Sequence, residues 1–105
     1  MENNRALTTV IQNLQIEDAA MEQSGAAQFE VLVAFLDDLI RNDFNRLLSI
    51  LYRVDISEEK LKRTLSDHKG SNIQSAELIA ELMVEREAEK IRSREKYRRK
   101  YQKLW

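Results

Sequence analysis

Phe29-Glu30-Val31-Leu32-Val33-Ala34-Phe35-Leu36-Asp37-Asp38-Leu39-Ile40-Arg41-Asn42-Asp43-Phe44-Asn45-Arg46-Leu47-Leu48-Ser49-Ile50-Leu51-Tyr52-Arg53-Val54 is the stretch that decides the fold. Sixteen of these twenty-six residues are apolar, and they recur at helical spacing. Apolar character over more than half of a helix circumference implies contact with more than one neighbouring helix. The segment is therefore the expected core. Arg41-Asn42-Asp43 is the one break in it, because Asn or Asp can cap a new helix starting near Phe44. The apolar phase runs through that break, so two helices and one kinked helix both fit the pattern.

Working outward, Ile56-Ser57-Glu58-Glu59-Lys60-Leu61 is a helix start. Ser57 is the expected N-cap, Glu58 and Glu59 face the positive end of the helix dipole, and Ile56 with Leu61 fits a hydrophobic staple. That helix is short, ending near Ser66-Asp67 ahead of a loop over residues 68–72. Ser75 is the expected cap of the last helix, with Glu77 in its first turn. No Gly or Pro then occurs as far as Trp105. Toward the N-terminus, Leu7, Val10, Ile11, Leu14 and Met21 share a face if residues 5–23 are helical. Thr8, Thr9 and Ile16 weaken that helix through their restricted rotamers, and Ser24-Gly25 punctuates the chain. Residues 1–25 are thus an amphipathic helix or an arm.

The whole chain of 105 residues carries two glycines, no proline and no cysteine. Sandwiches and barrels need the tight turns that Gly and Pro supply, and phosphate loops need glycine clusters. Without Cys there are no disulfides, thiol nucleophiles or Cys-ligated metals. The expected fold is all-α: a small bundle of four to five helices with a long, partly protruding C-terminal helix. It divides into residues 1–25, a helical core over 26–89, and a basic helix extension over 90–105. Thirty residues of helix are about 45 Å long, against a radius of gyration near 13 Å for a compact domain of about this size. Leu78, Ile79, Leu82 and Met83 can pack on the core, and the remainder must project, fray or meet another chain.

The formal net charge of −1 conceals a division. Residues 1–89 carry nine Lys+Arg against seventeen Asp+Glu, a net of −8. Residues 90–105 carry eight basic residues against Glu95 alone, a net of +7. Such asymmetry points toward an anionic partner. Like-charge pairs at i,i+4 (Lys90/Arg94, Arg92/Lys96, Arg94/Arg98, Lys96/Lys100, Arg99/Lys103) each cost about 0.2–0.5 kcal/mol, so the tail helix is marginal alone. Tyr97, Tyr101 and Trp105 are spaced by four and form one aromatic stripe within it. The expected contact surface comprises Arg92, Arg94, Lys96, Tyr97, Arg98, Arg99, Lys100, Tyr101, Lys103 and Trp105. It suits a partner chain, a second copy of the protein included. The alternative is a nucleic acid or the ribosome, with phosphates on the cations and bases stacked on the tyrosines.

Other constellations carry less. His68 is the only histidine and lies in an expected loop. Carboxylates at Asp37/Asp38, Glu58/Glu59 and Glu77/Glu81/Glu85 read as solvated faces, since nothing in the pattern sets one apart as a general acid. A helix–turn–helix over 57–67 and 75–90 fails because its recognition helix would begin with Glu77 and Glu81, which repel phosphate. No catalytic residue, metal, cofactor or small-molecule substrate is expected. No stretch approaches the ~20 apolar residues of a membrane span, so a soluble cytoplasmic protein is expected. Residues 42–61 and 76–82, the latter continuing to Arg94-Glu95-Lys96-Tyr97-Arg98, resemble a group of small, uncharacterised all-helical bacterial proteins. The resemblance covers residues 29–98 and implies a short cytoplasmic chain of no assigned activity. The functional expectation is a non-catalytic helical interaction module.

Overall fold

The computed structural model describes residues 2–16, 25–67 and 72–102, with side chains over 5–16, 25–66 and 74–98. Five helices form it: α1 (Glu2–Asn13), α2 (Gly25–Asn42), α3 (Phe44–Val54), α4 (Glu58–Asp67) and α5 (Asn72–Gln102). The fold is all-α, and α5 is its spine. At 31 residues it is about 46 Å long, in a molecule measuring 52 × 34 × 21 Å. The radius of gyration, 15.0 Å, exceeds the ~13 Å of a compact domain of about this size because of that length.

The core takes Leu32, Val33, Leu36 and Leu39 from α2, Leu47, Ile50 and Leu51 from α3, and Ala76, Ile79, Ala80 and Met83 from α5. α1 adds Leu7, Val10, Ile11 and Leu14. A second, smaller cluster joins Ala6 to Ala88 and Ile91. Ala6 and Ala88 are both fully buried at this crossing. α1 therefore runs antiparallel to α5 and covers it well beyond Met83. Thr8 Oγ1 also donates to Gln28 Oε1 across to α2 at 3.4 Å. α1 is an integral wall of the core.

The break in the 29–54 stretch makes two helices. Asp43 leaves helical geometry, and its carboxylate accepts from the Arg46 backbone N–H at 3.2 Å, satisfying one of the orphan donors of the new helix. Ser57 caps α4 in the same way, its hydroxyl accepting from Lys60 N–H at 3.3 Å. Ile56 and Leu61 both pack against the core, as a staple requires.

Two boundaries differ from expectation. α5 begins at Asn72, so Ser75 lies within its first turn and is not its cap. α1 ends at Asn13 instead of running to residue 23; Met21 and His68 lie outside the described residues. The stop is a Schellman closure: Ile16 N–H donates to Ile11 O, Gln15 N–H donates to Gln12 O, and Gln15 sits in the left-handed region at φ 58. The end of α3 repeats it with Ile56 to Leu51, Asp55 to Tyr52, and Asp55 at φ 65. In both, an apolar residue after the turn folds back toward the apolar residue five positions earlier. That contact holds a non-glycine residue in a conformation costing about 1–2 kcal/mol.

Candidate interaction surface

The basic half of α5 begins on the body and leaves it. Arg86 reaches the Asp55 elbow, 3.3 Å from its carboxylate, and pairs with Glu89 at 3.2 Å. One turn on, Lys90 Nζ donates to the Val54 carbonyl at 2.9 Å. Val54 ends α3, where carbonyls lack helical partners and the dipole is negative, so a cation there is favourable. Arg94 turns back along its own helix: one NH group donates to Glu87 Oε1 at 3.0 Å and Nε to the Lys90 carbonyl at 3.3 Å. The Glu87 side chain is only 8% exposed, so Arg94 compensates a buried carboxylate. Glu95 closes the series, pairing with Arg5 of α1 at 2.7 Å.

These contacts move the boundary of the extension. Division at residue 89 placed Lys90, Arg92 and Arg94 outside the body, yet Ile91 is buried and Lys90, Arg94 and Glu95 bind neighbouring groups. The i,i+4 repulsion expected between Lys90 and Arg94 is relieved because the two side chains point to different acceptors. Of the expected contact residues, Arg92 and Arg94 stand beside the body. Lys96, Tyr97 and Arg98 follow on exposed helix, with Tyr97 61% accessible. The side chains of Arg99, Lys100 and Tyr101, and all of Lys103 and Trp105, lie outside the described residues. Only Tyr97 of the aromatic stripe can therefore be placed.

A second surface was not anticipated. On α3, Phe44 is 51%, Leu48 45% and Tyr52 89% exposed. They sit at i, i+4 and i+8, on one stripe. Beside them lies a groove of about 510 Å³ between α3 and α4, walled by Leu48, Leu51, Ile56 and Leu61 and bordered by Asp55 and Glu58. Its signal is present in the sequence: Leu47, Ile50, Leu51 and Val54 already complete a core face, which leaves the 44/48/52 set over.

Three of the carboxylates set aside earlier form ion pairs. Asp37 pairs with Arg41 at 3.2 Å, Glu58 with Lys62 at 3.5 Å and Glu85 with Lys60 at 3.8 Å. Among the described residues, no group of three or more His, Cys, Asp or Glu converges to hold a metal ion. Among them, too, no helix is long and apolar enough to cross a membrane. Comparison of the chain with protein-family models, curated proteins and solved structures returns no match. The resemblance to small all-helical bacterial proteins gains no support from it.

Proposed function

We propose that the protein is a non-catalytic helical interaction module whose basic C-terminal helix end contacts a partner chain in the cytoplasm. One observation carries this: α5 continues beyond Glu95, which pairs with Arg5 of α1, through Gln102. That length brings no buried residue to the fold between Arg92 and Arg98, yet it holds Tyr97 between Lys96 and Arg98. A solvated helix end has no need of an aromatic ridge, whereas an interface does, since aromatics and Arg dominate binding hot spots.

Protein is favoured over nucleic acid because Lys90 and Arg94 are spent on Val54 and Glu87. That shortens the run of cations open to phosphate. The test is affinity capture with the intact chain and with a chain ending at Glu95. Truncation there spares Ile91, Arg94 and the Arg5–Glu95 pair, so the shortened protein keeps its fold. Partners lost on truncation support the proposal; equal capture by both chains refutes it. A parallel salt titration against mixed RNA separates the alternative, because phosphate neutralisation makes binding fall steeply with salt.

A further inference from the structure

α4 is the least anchored helix of the fold. Each of the other four buries three or more side chains, whereas none in α4 between Glu58 and Ser66 is buried. Leu61 and Leu65 are half-buried against the core. Toward α5 the helix has the Lys60–Glu85 pair at 3.8 Å, with both side chains more than half exposed, and such a pair holds little. Open space lies on both flanks. A cleft of about 210 Å³ toward α5 reaches Leu82 and Arg86, and the groove of about 510 Å³ lies toward α3. Few buried apolar contacts and exposed ties mark the part of a fold that moves at least cost.

The pivot of α4, in contrast, is fixed. Asp55 is held by Arg86 at 3.3 Å, and Ile56 N–H donates to Leu51 O at 3.3 Å. Any movement of α4 therefore turns about the residues after Asp55. Three residues join α3 to α4, the length of a helical hairpin, and the groove shows that hairpin standing open. Closing it about Ile56 sets residues equidistant from Ile56 level with each other: Leu51 with Leu61, Leu48 with Thr64. Leu61, Thr64 and Leu65 lie at i, i+3 and i+4, on one face of α4, and Leu61 already lines the groove. That face matches what the core contacts of α3 leave over, Leu48 at 45% and Tyr52 at 89% exposed.

We propose that α4 is a hinged flap. It swings about Ile56-Ser57 from its seat beside α5 into the α3–α4 groove, where Leu61, Thr64 and Leu65 cover Leu48 and Tyr52. The groove is thus filled by the segment of the same chain that follows it in sequence. Asp67 and Asn72 are separated by four residues, and a chain of that length spans up to roughly 17 Å, which allows the swing. Closure parts Lys60 from Glu85 and hides the α3 stripe; return exposes it. The two seats exchange one set of half-buried contacts for another, and only the open one offers the stripe to a partner. This device goes beyond the contact at the end of α5 and stands without it.

The chain has no cysteine, so an engineered pair reports on one contact. A disulfide needs Cβ atoms about 3.5–4.5 Å apart, a separation that closure gives to positions 48 and 64. Leu48→Cys/Thr64→Cys should oxidise to a monomeric disulfide under mild oxidant, and the locked protein should keep the helicity of the reduced one by circular dichroism. It should also bind less of an apolar dye than the reduced form, since the stripe is covered. Glu85→Lys, which sets like charges at the open seat, should speed the oxidation about 2–5-fold. Tyr52→Cys/Leu61→Cys, at two positions lining the groove, replaces the first pair if that pair lowers helicity before oxidation. A pair that stays reduced, a rate indifferent to Glu85→Lys, or unchanged dye binding overturns the proposal. So does a locked chain that loses helix, because α4 then unfolds instead of swinging.

Discussion

Arg94 offers the sharpest test of where the fold stops and the interaction surface starts. Its guanidinium is 65% exposed while the carboxylate it binds, on Glu87, is 8% exposed, at 3.0 Å. Removing one partner of a fully buried pair costs about 3–5 kcal/mol. Here water can follow the truncated Arg94 side chain to the carboxylate, which lowers the cost toward the ~1.5–3 kcal/mol of a hydrogen bond to a charged group. Arg94→Ala should therefore lose about 2 kcal/mol in urea denaturation. At ~4–8 °C per kcal/mol for a domain of roughly 100 residues, the midpoint should fall by about 10 °C. Replacing the buried carboxylate by a hydrophobe of similar volume removes the need for a cation, an exchange that is often neutral. Glu87→Met should consequently recover most of the loss in the Arg94→Ala background. Two results would refute the reasoning: an Arg94→Ala protein within ~0.5 kcal/mol of wild type, or a double variant no more stable than Arg94→Ala. Either would return Arg94 to the set of cations open to a partner.

Further expectations concern the fold. Gln15→Gly should stabilise by about 0.5–1 kcal/mol, the relief of a left-handed side chain less the added unfolded-state entropy; thermal melts check it, and destabilisation would contradict the Schellman closure of α1. Ala6→Leu should cost about 1–3 kcal/mol by overpacking the crossing with Ala88 and Ile91, and a neutral result in urea titration would mean α1 is not docked there. Leu36→Ala, at a fully buried site, should lose about 2–5 kcal/mol. Tyr52→Ser should stay within ~0.5 kcal/mol, as befits an exposed position; equal losses in the pair would contradict the assignment of core and open stripe.

The helical architecture was legible because nothing interrupts it except polar caps with local chemistry. Asp43 and Ser57 act through their own side chains on backbone N–H groups three residues ahead, so sequence spacing alone locates them. The helix ends were harder. A glycine normally marks a left-handed turn, but Gln15 and Asp55 occupy those positions. The readable signal is instead the apolar pair five apart, Ile11 with Ile16 and Leu51 with Ile56. The start of α5 was misplaced because Ser75 suits a cap by residue type, although the helix already begins at Asn72.

The surfaces depended on packing that periodicity does not encode. Counting apolar residues on α3 counts Phe44, Leu48 and Tyr52 as core, whereas sorting them by helical face leaves these three over, and among the described residues they stay 45–89% exposed. Counting cations after residue 89 likewise treats Lys90 and Arg94 as available. Their acceptors, Val54 O and Glu87, come from a neighbouring helix end and from two turns back. The charge division survives in a narrower form, with the open helix end starting at Lys96.

The most direct measurement is capture from lysate on immobilised protein, comparing the intact chain with one ending at Glu95. The truncated chain should remain folded and lose the partners that the intact chain captures. Retention of every partner by the truncated chain would contradict a contact surface at the end of α5.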